Sequence, residues 1–174
     1  MVSSALTLRR PVLADELVVR QAQSELEAEG FDFAWELGPE GSWPAYLDRL
    51  DRLHEGLNLP EGVMKSTFYL AEVHGEVVGS TSIRYELNQY LREFGGHIGY
   101  CVRPAFRRMG YATTMLQLQI EAARQSHIDE ILVTCLETNV ASAAVIERCG
   151  GAYEYSPTRP DGAIFRRYWF SRPD

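Results

Sequence analysis

The chain has 174 residues, 45% of them hydrophobic and 24% charged, and carries a net charge of −7. That length fits one domain over residues 1–174 with a substantial core. The acidic balance excludes a bulk nucleic-acid binder, and no apolar run approaches the roughly 20 residues of a membrane helix. Met1-Val2-Ser3-Ser4-Ala5-Leu6 lacks the charged and apolar regions of a signal peptide. Cys101, Cys135 and Cys149 form an odd set without metal-ligand spacing. They read as small core residues in a reducing, cytoplasmic setting, with no disulfide framework and no metal.

In chain order, Leu6–Arg9 reads as a first strand, stopped by Pro11. A helix follows from Asp15, as N-cap, to Glu29, with Gly30 as its stop. After Phe31-Asp32-Phe33-Ala34-Trp35 and a Gly/Pro loop, Ser42 caps a second helix with Pro44 in its first turn, ending near Gly56. The aromatic, acidic stretch 31–57 carries two readings: Phe31, Phe33, Trp35 and Trp43 pack the helices onto a sheet, or they wall a pocket whose carboxylates attract a cation. Ser66–Val73 and Val77–Tyr85 are strands joined by a tight turn at His74-Gly75. A short helical connection over Asn88–Phe94 and the pair Gly95-Gly96 lead to another strand, His97–Val102, which Arg103-Pro104 ends. Ala112, Met115, Leu116, Gln119, Ile120 and Ala123 recur at helical spacing. Ile131–Leu136 is a near-continuous apolar run that reads as a buried strand. A short helix over Ser142–Cys149, a strand holding Tyr153 and Tyr155, a Pro-containing loop and a last strand over Ile164–Ser171 complete the chain.

The stretch from His97 to Arg124 carries most of the chemistry. A strand feeds through the basic turn Arg107-Arg108-Met109-Gly110 into a helix beginning near Tyr111-Ala112-Thr113. The first amides of a helix lack partners and sit at the positive end of its dipole. Amides in the preceding turn add to an anion nest, and Gly110 puts no side chain in the way of a phosphate. The competing reading is a surface turn whose arginines merely solvate it.

R-R-M-G-Y-A fits the Q/R-x-x-G-x-G/A signature of the GNAT acetyltransferase superfamily through Arg107, Gly110 and Ala112, just after a strand ending Val102-Arg103-Pro104. A second stretch, Asn139 to Gly150, resembles that superfamily's N-x-x-S/A-x-x-h-Y-x-x-x-G. The order of elements resembles the GNAT fold over nearly the whole chain. The fold class this implies is α/β (α+β), with a mixed, mostly antiparallel sheet splayed between its fourth and fifth strands and helices on both faces.

The resemblance further implies an N-acetyltransferase that moves acetyl from acetyl-CoA to a primary amine of a small molecule or peptide. The cofactor's pyrophosphate would lie on Arg107, Arg108, Met109, Gly110, Tyr111, Ala112 and Thr113. Its pantetheine would run along the backbone of Cys101, Val102 and Arg103, with the Val102 amide polarising the thioester carbonyl. Asn139 and Ser142 would approach from the other side, although Asn139 also reads as a helix cap. Backbone donors aimed at a developing oxyanion are worth roughly 10²–10³ in rate. His97 stands where some members carry a glutamate base, and equally reads as a packed strand residue. The tyrosine that protonates the leaving thiolate falls on Ile146, which has no proton to give; Tyr153, Tyr155 or Tyr100 would have to substitute. That departure motivates an alternative from another class, a silent acyl-CoA-binding or regulatory module on the same fold. A homodimer is a frequent state among proteins of this resemblance.

Overall fold

The computed structural model describes residues 6–171, so the reading of Met1–Ala5 lies outside them. Strand β1 (Thr7–Arg9) is followed by helices α1 (Glu16–Glu27) and α2 (Trp43–Glu55) and the hairpin β2 (Ser66–Val73)–β3 (Glu76–Arg84). A π-helical turn (Leu91–Gly95) leads into β4 (Ile98–Val102), then α3 (Tyr111–Gln125), β5 (Ile131–Leu136), α4 (Val140–Arg148), β6 (Ala152–Tyr153) and β7 (Phe165–Phe170). This is the expected order. Local chemistry explains several boundaries. The Ser42 hydroxyl accepts from the Ala45 amide at the start of α2, and Gly56 ends that helix at φ 75°. His74 and Gly75 both take positive φ in the β2–β3 turn, the geometry a two-residue hairpin needs.

Two expectations are corrected. Asp15 precedes α1, but its side chain does not cap it. The carboxylate instead accepts from both terminal nitrogens of Arg9 and from the Val12 amide, at 2.7–2.8 Å. The aromatic stretch also divides: Phe33 and Trp43 are core residues, whereas Phe31 and Trp35 are exposed. Trp35 lies under the Arg49 guanidinium, 4.8 Å from its ring centroid.

The strands form two sheets, β1-β2-β3-β4 and β5-β7-β6, and every ladder is antiparallel. Helices α1 and α2 cover one face of the first sheet through Val19, Leu26, Trp43 and Leu50 against Leu70 and Val77. Helix α3 covers the other face, with Met115 against Ala71 and Val78. Leu116 and Ile120 of α3 join Ile83 and Ile98 to Ile131, Val133, Tyr168 and Ile146, so one core runs beneath both sheets. The sheets meet where the His97 amide donates to the Leu132 carbonyl at 2.7 Å. Gly96 permits that contact: a Cβ there would stand 2.6 Å from the Leu132 oxygen. Beyond this junction β4 and β5 share no ladder, which is the expected splay.

Candidate functional site

Among the described residues, strand β4 has a ladder partner on one side only. The Arg84 amide donates to His97 O at 2.7 Å, and the Arg103 amide to Val78 O at 2.9 Å. Antiparallel ladders alternate, so between those bonds Gly99 and Cys101 turn their backbone groups toward β3. Ile98, Tyr100 and Val102 turn theirs toward the gap beside β5. Of the three residues read from sequence as a backbone binding edge, only Val102 faces outward; Cys101 and Arg103 spend their backbone on β3. The parity of the strand, not legible without its register, adds the Tyr100 and Ile98 amides. Burial pushes the Cys101 thiol up to about 12, so it stays protonated.

At the end of β4, Pro104–Phe106 forms a 3-10 turn, and Arg108 and Gly110 both take positive φ, 64° and 86°. Alpha-helices α2 and α4 have side-chain caps, Ser42 and Asn139, whereas α3 has none. Among the described residues, no oxygen accepts a hydrogen bond from the amides of Arg108, Gly110, Tyr111, Ala112 or Thr113. A Cβ on Gly110 would meet nothing within 4 Å. An open row of amides at the positive end of a 15-residue helix is a ready anion site.

The two arginines flanking that turn are tied to α1 and the turn after it. Arg103, 7% exposed, donates to both Glu25 oxygens at 2.7 and 2.9 Å and to Val77 O. Arg107 donates to both Glu29 oxygens at 2.6 and 3.0 Å, and its Nε donates to Val102 O at 3.2 Å. Hydrogen bonding to Arg107 holds the Glu29 carboxyl below its usual range. Arg107 therefore lies against the outward edge of β4 rather than over the α3 tip, and Glu29, 78 residues earlier in the chain, competes for it.

His97 is 8% exposed. Its Nδ1 accepts from the Leu132 amide at 2.9 Å, so the neutral ring carries its proton on Nε2 and keeps no lone pair free. Burial, then the charges of Arg92 and Arg84, press its pKa down to about 4. The ring clamps β4 to β5 and is a poor proton acceptor, which corrects its reading as a base. Tyr153 is also misplaced for an acid role. It lies on β6, the strand farthest from the gap in the order β5-β7-β6, with its hydroxyl within 3.1 Å of Ser156 Oγ. Tyr155 is engaged with Glu93 and Arg167. Tyr100 differs: its hydroxyl crosses from β4 to α4 and lies 2.8 Å from Ser142 Oγ. Ser142 is one turn before Ile146, which is fully buried in the core. The Asn139 side-chain oxygen accepts from the Ser142 amide at 3.0 Å, making it the cap of α4.

The family model for the acetyltransferase (GNAT) domain matches residues 5–152. The chain belongs to the GNAT acetyltransferase family. No curated protein matches the sequence. Solved GNAT structures share its fold at low identity. A RimL ribosomal L7/L12 alpha-N-protein acetyltransferase in complex with coenzyme A is 21% identical, covers 99% of this chain and 97% of its own, and superposes with TM-score 0.69. RimJ of Mycobacterium smegmatis in complex with CoA-disulfide is 20% identical over 95% and 81%, with TM-score 0.71. The microcin C7 self-immunity acetyltransferase MccE, in complex with acetyl-CoA and AMP, is 16% identical over 98% and 94%, with TM-score 0.68. Within this GNAT chain, among the described residues, no group of three His, Cys, Asp or Glu side chains could hold a metal ion, and no helix is long and apolar enough to cross a membrane.

Proposed function

We propose that the protein is an acetyl-CoA-dependent N-acetyltransferase acting on a primary amine. The uncapped tip of α3 carries this reading: the amides of Gly110, Tyr111, Ala112 and Thr113 have no acceptor among the described residues, at a glycine whose missing side chain opens onto free space. The residues fit the cofactor. The amides of Arg108–Thr113 would hold its diphosphate, and the outward groups of Val102, Tyr100 and Ile98 its pantetheine arm. When bound, acetyl-CoA supplies an activated acyl carbon and a thiolate leaving group. The outward β4 amides would hydrogen-bond the carbonyl oxygen as charge develops on it, without reorganising. Transfer would form the C–N bond as the C–S bond breaks. The amine's proton would leave to water, and the Tyr100 phenol would give its proton to the departing sulfur and regain one from solvent through Ser142. Burial raises the Tyr100 pKa, which keeps that phenol protonated at neutral pH. We assign His97 to holding β4 and β5 together, with no part in proton transfer.

A second reading, a silent acyl-CoA binder, draws on the buried Ile146 and on the Arg107–Glu29 pair across the β4 edge. One pair of measurements separates them. Acetyl-CoA and CoA at 100 times their Kd should add about 2.7 kcal/mol, roughly 5–10 °C in Tm for a domain this size, and Gly110→Glu should abolish that gain in a folded protein. Thiol release with a panel of amines then marks an enzyme. No stabilisation by CoA would overturn both readings, and stabilisation without turnover would leave the silent binder.

A further inference from the structure

Three buried or half-buried guanidiniums each have a carboxylate. Arg9 has Asp15 and Glu72, Arg103 has Glu25, and Arg167 has Glu93 and Glu154. Arg84 does not. It is half-buried at the end of β3, and among the described residues its one side-chain hydrogen bond is from NH1 to the Gly96 carbonyl, at 3.3 Å. Among the described residues no carboxylate pairs with it. Glu93, on the π-helical turn just before Gly96, is turned away and spent on Tyr155 and Arg167. Removal from water presses the Arg84 pKa down, the mark of a charge without compensation. A desolvated cation left without a partner is a cost to the fold, and such costs concentrate at sites that bind the missing charge.

Its position gives that charge a place. Residues opposite each other in a ladder share a face. Thr81, Ile83, Ile98 and Tyr100 lie on the α3 face; Ser82 and Gly99 lie on the other, paired in register and continuing from Phe68. Arg84 is next along β3 on that second face, at the corner where Gly96 and His97 join β4 to Leu132. The outward amide of Tyr100 is three residues further along β4, about 10 Å at ~3.4 Å per residue. One end of the slot therefore holds the α3 tip, and the other holds a cation lacking an anion.

We infer that Arg84 binds a carboxylate of the acceptor, so that the substrate is an amine bearing a carboxylate within about 10 Å of its nitrogen. The inference rests on the acetyltransfer reading and names its substrate class. An acidic amino acid and a peptide N-terminus followed closely by Asp or Glu carry the same chemistry. The acceptor is anionic at its far end, which turns the search away from polyamines and other purely cationic amines.

The test measures thiol release with matched acceptors: free glutamate against its diamide, and C-terminally amidated Ala-Glu and Ala-Ala-Glu against the Gln peptides. A charge-assisted pair at a partly buried site predicts a preference of about 10- to 100-fold in kcat/KM for the carboxylate form. Arg84→Gln should erase that preference and leave the neutral acceptors unchanged, and Arg84→Lys should restore part of it. The free amino acid and the peptides separate the two sources of the chemistry. Equal rates for carboxylate and amide, or a preference that survives in Arg84→Gln, would overturn the assignment while leaving acetyl transfer standing. If no amine is acetylated although acetyl-CoA stabilises the protein, the acetyltransfer reading fails instead. Arg84 is then judged by whether the Glu peptides raise the Tm of the CoA-saturated protein more than the Gln peptides; no difference overturns it.

Discussion

The clamp at His97 makes a quantitative prediction about acid stability. The unperturbed imidazole pKa is about 6.5, and in the folded protein burial lowers it to about 4. Between those values the unfolded chain binds a proton that the native state refuses, so native stability falls as the pH drops through this window. At 1.36 kcal/mol per tenfold change in proton affinity, the full span is worth ~3 kcal/mol. His97→Gln keeps an acceptor for the Leu132 amide but cannot titrate. Urea unfolding followed by circular dichroism at steps from pH 7 to pH 4 should therefore show wild type losing ~3 kcal/mol more than the variant. Carboxylates held low in the native state, such as Asp15 and Glu25 beside their arginines, add losses at lower pH common to both proteins. Equal slopes, or an imidazole that titrates near pH 6.5 by NMR, would refute the clamp. The same variant bears on chemistry: the pH–rate profile should keep its shape.

Other expectations follow from single contacts. Glu29→Gln removes the carboxylate that holds Arg107 against Val102 O, so isothermal titration should give tighter CoA binding; weaker binding would mean that Glu29 orders the site. Gly96→Ala puts a Cβ 2.6 Å from Leu132 O at a φ of 67° and ψ of −179°. It should cost roughly 3 kcal/mol in urea unfolding, and a loss below about 1 kcal/mol would mean that the strands part easily there. Asn139→Ala removes the α4 cap and should cost about 1 kcal/mol. It should also weaken CoA binding through the lost amide group, and an unchanged Kd would restrict Asn139 to capping.

Much of the architecture was legible because its signals are local. Ser66–Val73 and Ile131–Leu136 are strands with the bounds that their apolar runs implied, and Ser42, Gly56 and Gly110 punctuate helices as their backbone preferences dictate. The α3 tip was readable for the same reason, since strand, basic turn and helix are consecutive. What escaped depends on partners far away in sequence. Asp15 has the chemistry of a cap, but Arg9 claims it. Arg103 and Arg107 read as cofactor residues, yet each is paired to an acid 78 residues earlier. His97 has the pKa of a base only in isolation, because burial at the sheet junction and the charges of Arg92 and Arg84 press it down. The outward parity of Tyr100 required the register with β3, and the unpaired state of Arg84 required knowing where every neighbouring acid had gone.

The junction of Gly96 and His97 with Leu132 has one further consequence. Two plates fastened at a single corner enclose a tapering wedge, and a thread laid in from the wide mouth stops at the vertex. Under the proposed acetyl transfer, depth of entry would act as a ruler for the acyl group, and bulkier thioesters would halt short of the reacting position. Loosening that corner would lengthen the ruler without touching any atom that takes part in the reaction.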